Sequence, residues 1–170
     1  MLVEAMLALN GLEQLVQRLA ALDEAVPEEA AAVAHGLSIL ENLVELVPEV
    51  ATAVVEKTGL LRWLLARLRA PEAGGNRQYA SEILAVLLQA GDANRAAFLA
   101  AGGIDAALQA VAPFRARDPS GPEEEELLQN LVDALCAVLL LPASKPAFVA
   151  AEGGCQPASL PVCLPACLPA

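Results

Sequence analysis

Aromatic residues are scarce in this chain, at 3% of the sequence, and charged residues make up only 18%. The 10 basic residues are outnumbered by 21 acidic ones, which gives a net charge of −11. Because phosphate backbones are bound by clusters of lysine and arginine, this balance argues against direct binding of nucleic acid. Disorder is disfavoured too, since hydrophobic residues form 56% of the sequence and suffice for a buried core.

Long hydrophobic runs and catalytic motifs are also missing. Within residues 1–153 the longest uncharged stretch, residues 134–144, is shorter than the roughly 18 residues that a membrane span requires. No basic segment, apolar core and small-residue cleavage site open the chain, so we expect neither a membrane span nor secretion. The single histidine, His35, belongs to no catalytic or phosphate-binding motif. We therefore predict no enzyme and no cofactor.

What is present is a repeated phrase. Residues 94–111 read NRAAFLAAGGIDAALQAV, and the pair formed by Phe98 and Gly103 recurs 44 residues upstream and 50 residues downstream. The corresponding pairs are Val54 with Gly59, and Phe148 with Gly153. An apolar, helix-forming segment follows Gly59 and Gly103, as it also follows Gly11. A period of about 40 to 47 residues with two or three helices per unit is typical of armadillo and HEAT arrays.

Local signals place the helices of these units. Pro27 and Pro122 each precede a run of glutamates, which predicts two helix starts, and the first helix is expected to run toward Pro48. Residues 71–76 and 112–122 are rich in turn-forming residues and are predicted to be surface loops. Because helix formers dominate, we predict an all-α fold, an armadillo-like right-handed α-solenoid of about three repeats.

The long helices carry two faces. The predicted core stripe on the first of them is Val33, Leu37, Leu40, Val44 and Val47. The opposite stripe is polar and acidic, and the third helix of an armadillo unit lines the concave groove. The candidate partner-binding residues are His35, Ser38, Glu41, Asn42 and Glu45, then Gln78, Glu82 and Gln89, then Gln129, Asn130 and Asp133. A merely solvated face would show the same pattern, so both interpretations stay open here.

Longer stretches of the sequence resemble a known protein family. LVQRLAALDEAVPEEA, LSILENLVEL, GLLRWLLARLRA, SEILAVLLQAGDANR and FRARDPSGPEEEELLQNLVDALCAVLLL resemble the beta-catenin-like protein family over roughly residues 4–153. The resemblance implies a nuclear scaffold of the pre-mRNA splicing machinery, in the complex of the Prp19 ubiquitin ligase and the cell-division-cycle-5-like protein. It also implies binding of basic nuclear-localisation-type segments, which would suit the acidic face.

Two alternatives accompany this interpretation. A nuclear import adaptor would repeat Trp and Asn along its groove, whereas the only tryptophan here, Trp63, is predicted to be a packing residue. The other alternative is a truncated or mis-spliced fragment that has lost its partners. The resemblance covers a central part of the family's sequence, and an uncapped apolar end would favour self-association.

The carboxyl-terminal segment supports that second alternative. After Gly153 the prolines recur every four residues, a spacing that is incompatible with a helix. We predict a helical repeat domain over residues 1–153 and an irregular tail over residues 154–170. Three of the four cysteines lie in this tail, at Cys155, Cys163 and Cys167, in a spacing that does not predict a metal site. The fourth, Cys136, is predicted to be buried in an apolar helix.

Overall fold

The computed structural model describes residues 5–6, 8–70 and 75–154. From Gly11 onward these residues form nine α-helices and one short 3-10 helix, Ala112–Arg115, and the all-α prediction is confirmed. The predictions for the proline- and cysteine-rich tail lie outside the described residues. The helices are α1 (Gly11–Ala20), α2 (Pro27–Leu46), α3 (Pro48–Lys57), α4 (Leu60–Arg69), α5 (Gly75–Gln89), α6 (Asp92–Ala100), α7 (Gly103–Val111), α8 (Pro122–Leu139) and α9 (Ser144–Gly154).

Helix boundaries follow local chemistry at most positions. Pro27 and Pro122 begin α2 and α8 as predicted, and glutamates fill the first turn of both helices, where they face the positive end of the helix dipole. Parts of the two predicted loops are helical. Helix α5 begins at Gly75, so the last residues of the segment 71–76 are helical, and Ala112–Arg115 forms a 3-10 helix.

The helices stack as a solenoid. Helices α3, α4 and α5 form one three-helix unit and α6, α7 and α8 form the next, while α1 and α2 occupy the second and third places of the unit before them. The third helices α2, α5 and α8 lie side by side, and the α2–α5 and α5–α8 interfaces are the most extensive in the fold. This row of third helices is the predicted armadillo arrangement.

One continuous core runs between the layers. Of the predicted stripe on α2, the side chains of Val33, Leu37, Leu40 and Val44 are at most 2% exposed. Val47 is only half-buried, because α2 ends at Leu46 and the backbone turns there toward α3. Trp63 packs against the core as predicted.

A close approach between α6 and α7 explains the glycine at position 103, within the repeated stretch of residues 94–111. Phe98 is fully buried, and a Cβ atom at Gly103 would lie 2.6 Å from its ring. Gly102, which precedes α7, has a φ of 70°, in the region that glycine favours. The glycine therefore makes room for the aromatic ring at the start of the second helix of the unit.

Polar side chains close the turns that follow the third helices. The buried Asn94 at the start of α6 donates to the carbonyl oxygen of Leu87 at 2.8 Å. Ser144, 50 residues later, donates to the carbonyl oxygen of Val138 at 2.7 Å. Both groups satisfy carbonyls that the end of a helix leaves without an intrahelical partner. The same device thus ends α5 and α8.

The prediction for Cys136 is wrong, because its side chain is exposed on α8. It lies one residue beyond the buried Leu135, and one step along a helix rotates a side chain by about 100°.

Among the described residues no single helix is long and apolar enough to cross a membrane, although Asp92–Ala100 and Gly103–Arg115 together pass that test across a 78° bend.

Candidate functional site

The row of third helices brings three of the predicted site residues together. Glu41 and Glu45 are one turn apart on α2, and Glu82 on the neighbouring α5 approaches them. One carboxylate oxygen from each of the three lies within 4.8 Å of the others. Glu41 and Glu82 are half-buried, whereas Glu45 is exposed. The prediction of an acidic helical face therefore corresponds to a compact group of carboxylates.

These carboxylates perturb one another. Burial, and then the charge of Glu45, raises the pKa of Glu41 above its ordinary value. Burial, and then the charge of Glu41, likewise raises the pKa of Glu82. The charge of Glu126, and for Glu82 also that of Glu45, adds to these upward shifts of the pKa. The pair binds a proton more tightly than two isolated carboxylates would.

A fourth carboxylate, Glu126 on α8, belongs to the same surface. Its charge contributes to the raised pKa values of Glu41 and Glu82, and its Oε2 accepts a hydrogen bond from Gln78 Nε2 at 2.5 Å. Glu126 belongs to the run of glutamates after Pro122 that predicts the start of α8. The signal that could have found it is its position four residues before Asn130, which places both on one side of α8. We call Glu41, Glu45, Glu82 and Glu126 the acidic cluster.

The other predicted residues have different environments. Asn130 donates to Ser81 Oγ at 3.2 Å, a half-buried bond that joins α8 to α5. Asn42 donates to the carbonyl of Ser38 at 2.7 Å, and Gln129 donates to Asp133 Oδ1 at 3.0 Å, so both amides have partners on their own helix. The exposed residues His35 and Gln89 are positioned on the outer surfaces of α2 and α5.

The chemistry of the acidic cluster suits an organic cation better than Ca²⁺. Three carboxylate oxygens supply fewer ligands than the 6 to 8 that Ca²⁺ takes, about half of the shell at most. A guanidinium or ammonium group instead brings its own hydrogen-bond donors, and guanidinium pairs with a carboxylate through two parallel bonds. The geometry therefore suits lysine or arginine side chains of an extended segment.

A family model described as catenin-beta-like, Arm-motif containing nuclear, matches residues 1–155. The chain belongs to this catenin-beta-like family. Beta-catenin-like protein 1 of Rattus norvegicus and that of Homo sapiens are each 42% identical to it over 153 residues, which is 89% of this chain. The Beta-catenin-like protein 1 homolog of Schizosaccharomyces pombe is 35% identical over 133 residues, or 77% of the chain.

The aligned region is a small part of those catenin-beta-like relatives. It amounts to 27% of the rat and human proteins and 24% of the yeast protein. The chain thus spans about a quarter of the length of the curated relatives that it matches. The armadillo-type fold predicted from the repeat is confirmed by the family, which is also described as nuclear.

Proposed function

We propose that this chain is a protein-interaction scaffold that binds basic, extended segments of partner proteins along the row formed by α2, α5 and α8. The observation that carries this proposal is the acidic cluster. The charges that raise the pKa values of Glu41 and Glu82 are those of other carboxylates, so like charges are held close together at a half-buried position. A lysine or arginine side chain from a partner would relieve this repulsion and favour the charged form of both carboxylates.

Several contacts at once are required for useful affinity. One exposed ion pair contributes about 0 to 1 kcal/mol, and such pairs are screened over about 8 to 10 Å at physiological salt. The acidic cluster offers four carboxylates on three adjacent helices, so a segment with several basic residues can pair with more than one of them. The polar side chains of His35, Asn42, Gln89 and Gln129 flank this path and are exposed.

The finer proposal is that the scaffold acts in the nucleus, within the pre-mRNA splicing machinery. It is supported by the family's description as nuclear and by the relatives named Beta-catenin-like protein 1. The partners proposed on this basis are the cell-division-cycle-5-like protein and the Prp19 complex. We propose a binding role for the acidic cluster and no catalytic role.

The test is binding of a labelled basic peptide from the cell-division-cycle-5-like protein to the full chain, at low and at physiological salt. We expect saturable binding that weakens with salt and weakens further in the double variant Glu41→Gln and Glu45→Gln. The matched control is Glu56→Gln with Asp105→Asn, which removes two exposed charges from α3 and α7, outside the row. A helical chain that binds no peptide would instead support the truncated fragment that has lost its partners.

A further inference from the structure

We propose that Ser120 is a phosphorylation site of an acid-directed serine/threonine protein kinase, and that Arg117 pairs with the phosphate once it is attached. Both residues lie in the connection between the 3-10 helix Ala112–Arg115 and α8. None of the four carboxylates of the acidic cluster belongs to this connection, so the site is separate from the surface proposed to bind basic segments.

Ser120 is the accessible serine in the part of the chain that the structure describes. It is exposed, and its backbone is irregular. The other described serines and threonines are buried or half-buried, and all except Thr58 lie on helices: Ser38, Thr52, Thr58, Ser81 and Ser144. A kinase has to enclose the hydroxyl together with the residues on both sides of it, and an exposed segment permits this without unfolding a helix. Accessibility therefore selects Ser120.

The residues after Ser120 supply a recognition element for the kinase. Four consecutive glutamates, residues 123–126, occupy the third to sixth positions after the hydroxyl. Glu123 and Glu125 are exposed, as is Asp118 on the other side of the serine. A kinase whose substrate cleft is lined by lysine and arginine binds such a segment through complementary charge. The sequence around Ser120 thus suits an acid-directed enzyme.

Basic residues also precede Ser120, but their side chains are engaged by the fold. Arg115 and Arg117 lie five and three positions before the hydroxyl, a spacing that base-directed kinases accept. Arg117, however, donates to both oxygens of the Glu124 carboxylate, at 2.5 and 2.7 Å, and lies over the Phe114 ring. Arg115 is half-buried. A base-directed kinase would have to break these contacts, so the structure favours the acid-directed class.

The surroundings of Ser120 can hold a phosphate. Its backbone N–H and Nη1 of Arg117 both donate to Oε2 of Glu124, at 2.7 and 2.5 Å, so the two nitrogens are near neighbours. Arg77 on α5 adds a second positive charge close to Glu124. A phosphate carries about 1.5 to 2 negative charges at pH 7 and three acceptor oxygens, more than a carboxylate offers. It therefore competes with Glu124 for the guanidinium group of Arg117.

The transfer uses the γ-phosphoryl group of ATP, which the kinase binds together with Mg²⁺. A bond forms between Oγ of Ser120 and the γ-phosphorus, the bond from that phosphorus to the bridging oxygen breaks, and ADP leaves with the bonding electron pair. The hydroxyl proton passes to the catalytic aspartate of the kinase and then to solvent.

The first experiment incubates the full chain with Mg²⁺-ATP and either casein kinase 2, which is acid-directed, or protein kinase A, which is base-directed. Mass spectrometry locates the phosphate. With the acid-directed enzyme we expect a single phosphate on Ser120 and none in Ser120→Ala. Glu123→Gln with Glu125→Gln should slow incorporation several-fold. The control Glu56→Gln with Asp105→Asn removes two exposed charges from α3 and α7 and should leave the rate unchanged.

A second measurement tests the role of Arg117 on the phosphorylated chain. Phosphorus NMR across pH follows the second ionisation of the phosphoserine, whose pKa is ordinarily about 6. Because a neighbouring guanidinium favours the doubly charged form, Arg117→Gln should raise this pKa. Lys57→Gln removes an exposed positive charge from α3 and should leave it unchanged. Circular dichroism checks that every variant keeps its helices.

The proposed site is overturned if the acid-directed kinase leaves Ser120 unmodified, or if only the base-directed kinase modifies it. It is also overturned if the variant that lacks Glu123 and Glu125 is phosphorylated as fast as the control variant. The pairing with Arg117 is overturned if the phosphate of Arg117→Gln titrates like that of the unaltered chain.

Discussion

Glu82 is the residue on which the electrostatics of the site converge. Its pKa is raised by burial and by the charges of Glu41, Glu126 and Glu45. The folded state therefore binds a proton at this carboxyl more tightly than the unfolded chain does. As pH rises from 4.5, the ordinary pKa of a glutamate, through the raised pKa of the folded state, the free energy of unfolding falls.

We predict that Glu82→Gln raises the melting temperature at pH 7, by an amount that corresponds to about 0.2 to 1 kcal/mol, because it removes a repulsive charge. It should also flatten the pH dependence of stability above pH 4.5 and weaken binding of the basic peptide. Thermal unfolding across this pH range, with Glu56→Gln as the exposed control, checks the first two effects. A lower melting temperature at pH 7 would contradict the repulsion argument.

Gly103 and Gly59 offer a second comparison at the residue scale, since they occupy equivalent positions. A methyl group at Gly103 would lie 2.6 Å from the Phe98 ring, whereas nothing lies within 4 Å of one at Gly59. We expect Gly103→Ala to reduce the free energy of unfolding by about 1 to 3 kcal/mol, the cost of overpacking a core. Gly59→Ala should change it by less than about 1 kcal/mol. Urea unfolding measures both, and equal effects would refute the packing explanation.

At the scale of elements, a buried polar link ties successive units together. Arg67 on α4 is 6% exposed, pairs with Glu24 in the loop before α2, and stacks on the Trp63 ring at 3.3 Å from its centroid. Asn76 on α5 donates to the other oxygen of Glu24 at 2.6 Å. Burial lowers the pKa of Arg67, and Glu24 opposes that shift. One carboxylate thus serves two helices of the following unit.

Removing that carboxylate should therefore cost more than removing an exposed one. We predict that Glu24→Ala lowers the free energy of unfolding by about 1 to 3 kcal/mol, since it removes the carboxylate to which the buried side chains of Arg67 and Asn76 both donate. Asp92→Ala breaks the ion pair with Arg95, in which the Asp92 side chain is 74% exposed, and should cost about 0 to 1 kcal/mol. Denaturant titration distinguishes the two; similar losses would mean that the link is not specific.

The elements also show what could be predicted from sequence. The starts of α2 and α8 depend on a proline and glutamates within one helical turn. The core stripe of α2 depends on the spacing of residues within that helix. Both could therefore be predicted from short stretches of sequence. The role of Glu126 and the exposure of Cys136 depend on which side of α8 meets α5. Such lateral contacts between repeats are set by packing over about 40 to 50 residues of chain. Spacing within one helix shows which residues share a side, but it does not show which side meets the neighbouring helix.

At the scale of the whole molecule, two electrostatic effects act on a basic partner and can be separated kinetically. The net charge of −11 attracts cations from a distance and affects the association rate, while short contacts in the acidic cluster affect the dissociation rate. Any loss of acidic charge weakens the first effect. Only a loss within the cluster weakens the second.

We therefore predict different kinetic signatures for two variants of equal charge. Glu41→Gln with Glu45→Gln should slow association of the basic peptide modestly and speed its dissociation several-fold. Glu56→Gln with Asp105→Asn should slow association by a similar factor and leave dissociation unchanged. Stopped-flow or surface-based kinetics at two salt concentrations measures both rates, and added salt should reduce the association rate in every case. If both variants changed only association, the chain would attract basic segments through its overall charge, and the row of third helices would not be a binding site.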